Sequence, residues 1–231
     1  MKETKLHYIL YIDVLGYKKT LERLENEDIF LNEIEQMFNQ EIIAKAKRTF
    51  AKYKIFSDNV IIALPKVKDE KENTNRIEKI CKFASRLQDQ CLRKYGILLR
   101  GSIVEGLLYI NDDFVYGSGL IKAYELENSE AIYPRIVIDD ALKEVSYISA
   151  SAYTVFKEEI WDSHYFINFL NYYHPLINTK DDRKNGLIKI IEQIDKQIKE
   201  SVASGSRVLQ KLFWLKQFIK YLQDNNQCIM V

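Results

Sequence analysis

Cysteine is scarce. Cys81, Cys91 and Cys228 are the three in 231 residues, and no two form a CxxC pair. That excludes a disulfide framework. Cys81 and Cys91 fall inside a helical pattern, so buried free thiols and a reducing compartment are expected. An excess of one charge is also missing: 34 Lys and Arg stand against 33 Asp and Glu, a net charge of +1. Nothing in that balance steers nucleic acid or an anionic lipid surface to the chain, and neither is expected as a partner. No stretch approaches the roughly 18 apolar residues that a membrane span needs. The N-terminal run MKETKLHYILYIDVLGY is too short for a signal peptide and is interrupted by Asp13. A cytoplasmic location follows as the expectation. The three histidines (His7, His164, His174) show no metal-ligand spacing. Five of the eight glycines fall between Gly96 and Gly119. They match neither a P-loop nor a dinucleotide fingerprint, and a close-packed wall is the alternative. There is no internal repeat.

What is present describes a soluble globular protein: 47% hydrophobic and 29% charged residues. HYILYIDV, residues 7–14, reads as a nearly continuous apolar strand of the kind covered on both faces. A long amphipathic helix is predicted over 18–50, with Leu21, Leu24, Ile29, Ile34, Met37, Phe38 and Ile42 among its apolar positions. Strands at 51–56 and 59–64 follow as a hairpin bending at Ser57-Asp58, then a polar loop at 66–73 and a helix over 74–94 stopped by Gly96. A strand at 97–104, a hairpin of 107–110 against 114–116, a helix from Gly117 to about Glu127 and a strand at 135–139 complete the series. The order is that of an α+β, ferredoxin-like core with additions. The rest of the chain reads differently. Two short strands flank a turn at Asp162-Ser163, and amphipathic helices are predicted over 179–203 and 206–224. The expected organisation is a core over 1–150 and a C-terminal strand pair and helical extension over 151–231, packed on the same domain. The aromatic stripe Phe213, Trp214, Phe218 and Tyr221 is expected to serve that packing.

The polar residues inside KIFSDNVIIALP, 54–65, raise the chemical question. Ser57, Asp58 and Asn59 suit a tight turn because their side chains bond their own backbone. Asp58 also suits a metal site, since the first strand neighbours the hairpin and brings Asp13 to the same sheet edge. Two adjacent carboxylates repel unless a cation lies between them, and a divalent metal that bridges to phosphate fills that role. Spacing alone leaves both readings open. Arg100 lies within an apolar strand and needs an anionic partner. Arg100 and Arg135 are both candidate cations for a phosphate group, Arg100 the better one.

YIDVLGY resembles the FxDIxGF signature of class III nucleotidyl cyclases, and KIFSDN resembles their K-x-x-G-D hairpin with Ser57 in place of glycine. LLRGSIVEG, 98–106, resembles their next strand, and the match covers about 7–139. YGSGLIKAYELENSEAIYPRIVID, 116–139, is most similar to the bacterial pyrimidine cyclases of the Pycsar antiphage systems, which DSHYFINFL and the Trp214-Leu215 helix also suit. The resemblance implies a class III cyclase catalytic core, with Asp13 and Asp58 holding Mg²⁺ or Mn²⁺. Arg100, the better candidate cation for phosphate, is expected to assist catalysis in place of cations that the family carries elsewhere. Val14, Leu15, Gly16 and Tyr17 would lie near the phosphates. For Gly16, a plain strand-to-helix turn is an equally natural reading. Lys54 aligns with the base-reading lysine of adenylyl cyclases.

By the same resemblance the protein converts UTP or CTP to the 3′,5′-cyclic monophosphate and pyrophosphate. It would do so as a homodimer whose product acts on a separate effector in antiphage defence. One departure stands out. Adenylyl and guanylyl cyclases carry Asn and Arg on the helix after the second hairpin, where alignment on Ala123 puts Ile121 and Glu125 here. A catalytically inactive nucleotide-binding or interaction module is the alternative that this departure keeps open.

Overall fold

The computed structural model describes residues 2–17, 27–44, 51–142, 155–157, 164–173, 181–202, 207–226 and 228. Strand β1 (Lys5–Val14) is followed by helix α1 (Glu27–Met37), which continues as a π-helical turn, Phe38–Ile43. The hairpin is β2 (Lys52–Phe56) and β3 (Asn59–Pro65). Helix α2 (Glu70–Gln90) runs on through a π-helical turn, Cys91–Tyr95. Then come β4 (Leu99–Ile110), β5 (Val115–Tyr116), α3 (Ser118–Glu130) and β6 (Ile136–Ile138). Strands β7 (Val155–Lys157) and β8 (Tyr165–Ile167) precede α4 (Asp181–Val202) and α5 (Arg207–Asp224).

The sheet runs β2-β3-β1-β4-β6-β8-β7, with β5 paired to β4 alone. Each of its first four strands is antiparallel to its neighbours, with β1 between β3 and β4. This is the ferredoxin-like order expected from the sequence. Strand β6 joins β4 in parallel, and β8 and β7 extend the sheet antiparallel. Both faces of β1 are covered, which explains its unbroken apolar run. Tyr8, Leu10, Ile12 and Val14 pack under α1 and α2 with Ile34, Met37, Ile77, Ile80 and Leu87. Ile9 and Tyr11 face the other way, with Ile61, Val104 and Ala123 of α3.

Several boundaries differ from the sequence expectation. The polar loop is shorter, because Asp69 caps α2 by accepting from the amides of Lys71 (2.9 Å) and Glu72 (3.3 Å). Asn73 is buried rather than exposed, its amide bonding both Val67 N and Val67 O at 2.9 Å. Strand β4 does not break at Gly106. It is one strand of twelve residues, and only Val115–Tyr116 pairs back on it. Gly106 instead allows a close crossing: a Cβ there would lie 2.5 Å from the Cα of Gly119 in α3. The glycine cluster is close-packed, but this part of it packs helix against strand. Gly96 does end the helix it follows, with φ at +66°. Of the predicted first helix, Leu21 and Leu24 lie outside the described residues, as does the side chain of Ile29; so does the Asp162-Ser163 turn.

Helices α4 and α5 close a second apolar cluster with Leu92, Leu98, Phe166 and Leu170. Trp214 and Phe218 belong to it, 5.9 and 5.5 Å from the Phe166 ring, whereas Phe213 is 45% exposed and leaves the stripe. All three cysteines are free and buried. No helix among the described residues is long and apolar enough to cross a membrane.

Candidate active site

Asp13 is the one acid in the buried part of β1, and alternation puts it on the α3 side with Ile9 and Tyr11. It stands opposite Asn59 on β3 and Arg100 on β4. Asp58 occupies the β2–β3 turn. Its carbonyl accepts from Val14 N (3.2 Å), and its carboxylate lies within hydrogen-bond reach of Asp13. The two aspartates are therefore brought together, as the sequence suggested. Burial raises the Asp13 carboxyl above its ordinary value; Arg100 opposes the rise, and Asp58 adds to it.

The turn itself is strained. Ser57 has φ at +55°, the left-handed region that glycine enters freely. Ser57 stands where the resembled hairpin has glycine. A polar relay then steadies Asp58: the Tyr11 hydroxyl donates to Asn59 Oδ1 (2.5 Å), and Asn59 Nδ2 donates to Asp58 Oδ1 (3.1 Å).

Arg100 finds its anionic partners inside the protein. Its Nε donates to Asp13 Oδ2 at 2.7 Å. Glu127 Oε1 lies equally close, at 2.7 Å, but off the line of that single hydrogen, so the contact is ionic. Glu127 is 2% exposed, and burial pushes its carboxyl from 4.5 up to about 7 against the attraction of Arg100. Glu127 is not among the site residues expected from the sequence. Its signal was periodicity: Gly119, Ala123 and Glu127 recur every four residues on the face of α3 that meets the sheet. Tyr11 was missed too, masked as an ordinary strand residue, and Asn59 was read only as a turn residue rather than as a partner of Asp58.

The remaining candidates fall in different places. The amides of Val14 and Leu15 donate to Asp58 O and to Leu98 O (2.9 Å), so these two are not donors to a phosphate. Gly16 turns the chain with φ at +82°, and Tyr17 packs on the main core. Lys54 is on the Asp13 face of β2, but its ammonium bonds the Asp112 carbonyl in the β4–β5 turn. Arg135 is 2% exposed, close over the rings of Tyr133, Phe166 and Trp214 at 5.4–5.9 Å, with Nη2 donating to Glu130 O. It is a packing residue there. Ile121 and Glu125 are exposed on the outer side of α3.

No group of three or more His, Cys, Asp or Glu suited to a metal occurs among the described residues. Asp13 and Asp58 still fit a hard divalent cation as a pair. Side by side, with Asp13 raised by burial and further by Asp58, they have charge that such an ion would relieve, with phosphate oxygens and water completing its shell.

No protein-family model matches the sequence, and no curated protein matches it. Solved structures do. The guanylyl cyclase domain of the RhoGC fusion protein from the aquatic fungus Blastocladiella emersonii superimposes with a TM-score of 0.53 at 15% identity, covering 73% of this chain and 98% of that one. The guanylate cyclase domain of RhGC from Catenaria anguillulae, in complex with GTP, gives 0.52 at 14% identity, with 73% and 98% covered. An adenylyl cyclase from P. aeruginosa gives 0.50 at 14% identity, with 72% and 94% covered. The chain has the mixed α+β fold of the class III nucleotidyl cyclase catalytic domains.

Proposed function

We propose that the protein is a nucleotidyl cyclase that converts a pyrimidine triphosphate, UTP or CTP, to its 3′,5′-cyclic monophosphate and pyrophosphate. The observation that carries it is the Asp13–Asp58 carboxylate pair at the β1 end and the β2–β3 turn, on a cyclase fold. The 3′-oxygen attacks the α-phosphorus, the bond to the bridging oxygen breaks, and pyrophosphate departs with the electron pair. The 3′-proton goes to solvent. Asp13 and Asp58 would hold Mg²⁺ or Mn²⁺, and the bound ion would supply a lower hydroxyl pKa and charge balance for the leaving group. Asn59 and Tyr11 orient Asp58, and Arg100 with Glu127 orients Asp13. Gly16 and Tyr17 lie beside the phosphates, and Lys54 reads the base after exchanging its bond to Asp112.

The pyrimidine preference rests on the resemblance of 116–139 to the Pycsar cyclases, and with it a role in antiphage signalling through a separate effector. Exposed apolar side chains on α3 and the β4–β5 hairpin, Ile121, Tyr124, Phe114 and Tyr116, support a homodimer through that surface. The neighbour from Blastocladiella was solved in both dimeric and monomeric forms.

The test is incubation of the purified chain with Mn²⁺ and each of the four nucleoside triphosphates, with products resolved by mass. Cyclic UMP or cyclic CMP is expected. Exclusive use of ATP or GTP overturns the pyrimidine assignment, and no turnover on any of the four overturns the enzyme. The inactive nucleotide-binding alternative draws on Ile121 and Glu125, and it predicts binding without product in the same assay.

A further inference from the structure

Helices α4 and α5 leave an open cavity of about 450 Å³ between them. Helical spacing makes it. Ile191, Ile194 and Asp195 line it from α4, and Phe213, Lys216 and Lys220 line it from α5, residues three or four apart on each helix. Ile194 belongs to the buried apolar cluster under the two helices, with Ile191 packed against that cluster. Phe213, on the facing helix, leaves its ring exposed. The stems of Lys216 and Lys220 extend the apolar wall, as long charged side chains do. A concave, mostly apolar cavity of this volume falls within the roughly 300–1,000 Å³ of small-molecule sites.

Charge and the scarcity of exposed apolar side chains narrow the occupant. Lys216 and Asp195 bridge the helices at 2.6 Å and cancel each other. Lys220, one turn beyond Lys216, has no ion pair among the described residues, so the rim carries one uncompensated cation. Beside Asp195 the α4 surface turns polar, with Glu192, Lys196, Lys199 and Glu200, and the apolar walls end there. Phe213 is the one large exposed apolar side chain at the cavity. A protein partner or a bilayer needs a broader apolar patch, of the kind that Phe114, Tyr116, Ile121 and Tyr124 make elsewhere. A small molecule needs only the cavity.

We infer that the α4–α5 cavity is a binding site for a small amphiphilic acid, an apolar chain or ring with one anionic head. The apolar part lies between Ile191 and Phe213, and the head pairs with Lys220. The site is separate from the Asp13–Asp58 pair and does not depend on the cyclase reading. Its test measures binding alone, so a failed cyclase assay leaves it standing and its own failure leaves the cyclase standing.

The experiment is calorimetric titration of the full chain with decanoate below its micelle concentration. Decanol and decyltrimethylammonium run beside it, the same chain with no charge and with the opposite one. One decanoate per chain is expected, bound about 3- to 10-fold more tightly than either comparison compound, the range for a charged contact at an exposed rim. Gln217 also lines the cavity and is exposed, so Gln217→Trp fills the space from the surface and should weaken decanoate by about tenfold or more. Lys220→Met should erase the preference for the acid, and Lys220→Arg should restore it. Phe213→Ala, which removes a wall instead of filling the cavity, should weaken all three compounds together, and it covers a folding defect in Gln217→Trp seen by melting. The inference is overturned by a parent that takes up no decanoate saturably, by equal binding of acid and alcohol, or by decanoate binding that both Gln217→Trp and Phe213→Ala leave intact. A change of sedimentation in ligand-free Gln217→Trp gives the face to a second copy. Flotation with phosphatidylcholine vesicles that Gln217→Trp abolishes gives it to a bilayer. Either result overturns the small acid.

Discussion

Under α1 and α2 the sheet presents Leu10, Ile12 and Val14 of β1, Ile62 and Leu64 of β3, and Ile103 of β4, all buried and all apolar. The same strands present Tyr11, Asp13, Asn59, Arg100 and Ser102 to the α3 side. One face is dry and fills space. The other carries three carboxylates around a single guanidinium, and burial raises two of those carboxyls. Burying such groups is costly, and the packing of the first face offsets that cost. The difference divides stability from chemistry along one set of strands.

The largest expected effect is on the polar face. Asp58→Asn should lower cyclase turnover by about 1000-fold or more, about 4 kcal/mol in the barrier, while leaving thermal stability unchanged or higher because a repelling carboxylate is gone. Product formation by mass and melting curves check both halves. Turnover within tenfold of the parent removes Asp58 from the mechanism.

The converse substitution belongs to the dry face. Leu10→Ala leaves a cavity among fully buried neighbours and should cost about 2–5 kcal/mol in urea unfolding. Because Leu10 points away from Asp13, Mn²⁺ affinity in the folded fraction should stay the same. A large loss of metal binding breaks the division between the faces.

The division was only partly legible in the sequence. HYILYIDV is apolar on both sides of its alternation until Asp13, so its strand character was plain but its two faces were not. The Asp13–Asp58 meeting was legible because the element order fixes β1 beside β3. Glu127 was not, because its partners lie 27 and 114 residues away in sequence, and only the fold brings Arg100 and Asp13 under α3. The continuous β4 was hidden by Gly106, a residue that usually signals a bend but here admits Gly119. The capping of α2 by Asp69 had a readable signal, an acid before a charged first turn, overridden by the polarity of its surroundings.

A smaller effect should appear in pH dependence. Glu127 has a folded value of about 7 against an ordinary 4.5, so the folded state holds its proton more tightly. Its contribution to folding is most favourable below about pH 4.5 and is lost as pH rises through about 7. Asp13 shifts in the same direction. Glu127→Gln keeps the shape without the ionisation. Near pH 5 it should match the parent, and at pH 8 it should be more stable by about 2 kcal/mol. Denaturation across that range provides the measurement. A gap between the two proteins that widens toward acid instead of base reverses the sign and removes burial as the dominant influence on Glu127.

The smallest effect concerns the turn that joins the two faces. Ser57 holds a left-handed conformation with φ at +55°, which costs a side-chain residue about 1 kcal/mol that glycine does not pay. Part of that is returned by the greater freedom of glycine in the unfolded chain. Ser57→Gly should therefore stabilise the protein slightly, by up to about 0.5 kcal/mol in equilibrium unfolding. Its functional outcome separates two roles for the strain. If the Ser57 conformation only closes the hairpin, Mn²⁺ affinity is unchanged, because Asn59 Nδ2 and Tyr11 still hold the Asp58 carboxylate. If the stiffer serine backbone is what keeps Asp58 against Asp13, the glycine variant gains stability and loses Mn²⁺ affinity together. The relay through Tyr11 and Asn59 favours the first outcome. Titrating Mn²⁺ into Ser57→Gly and into Ser57→Gly with Tyr11→Phe decides it: the single variant should bind as the parent does, and the double should weaken.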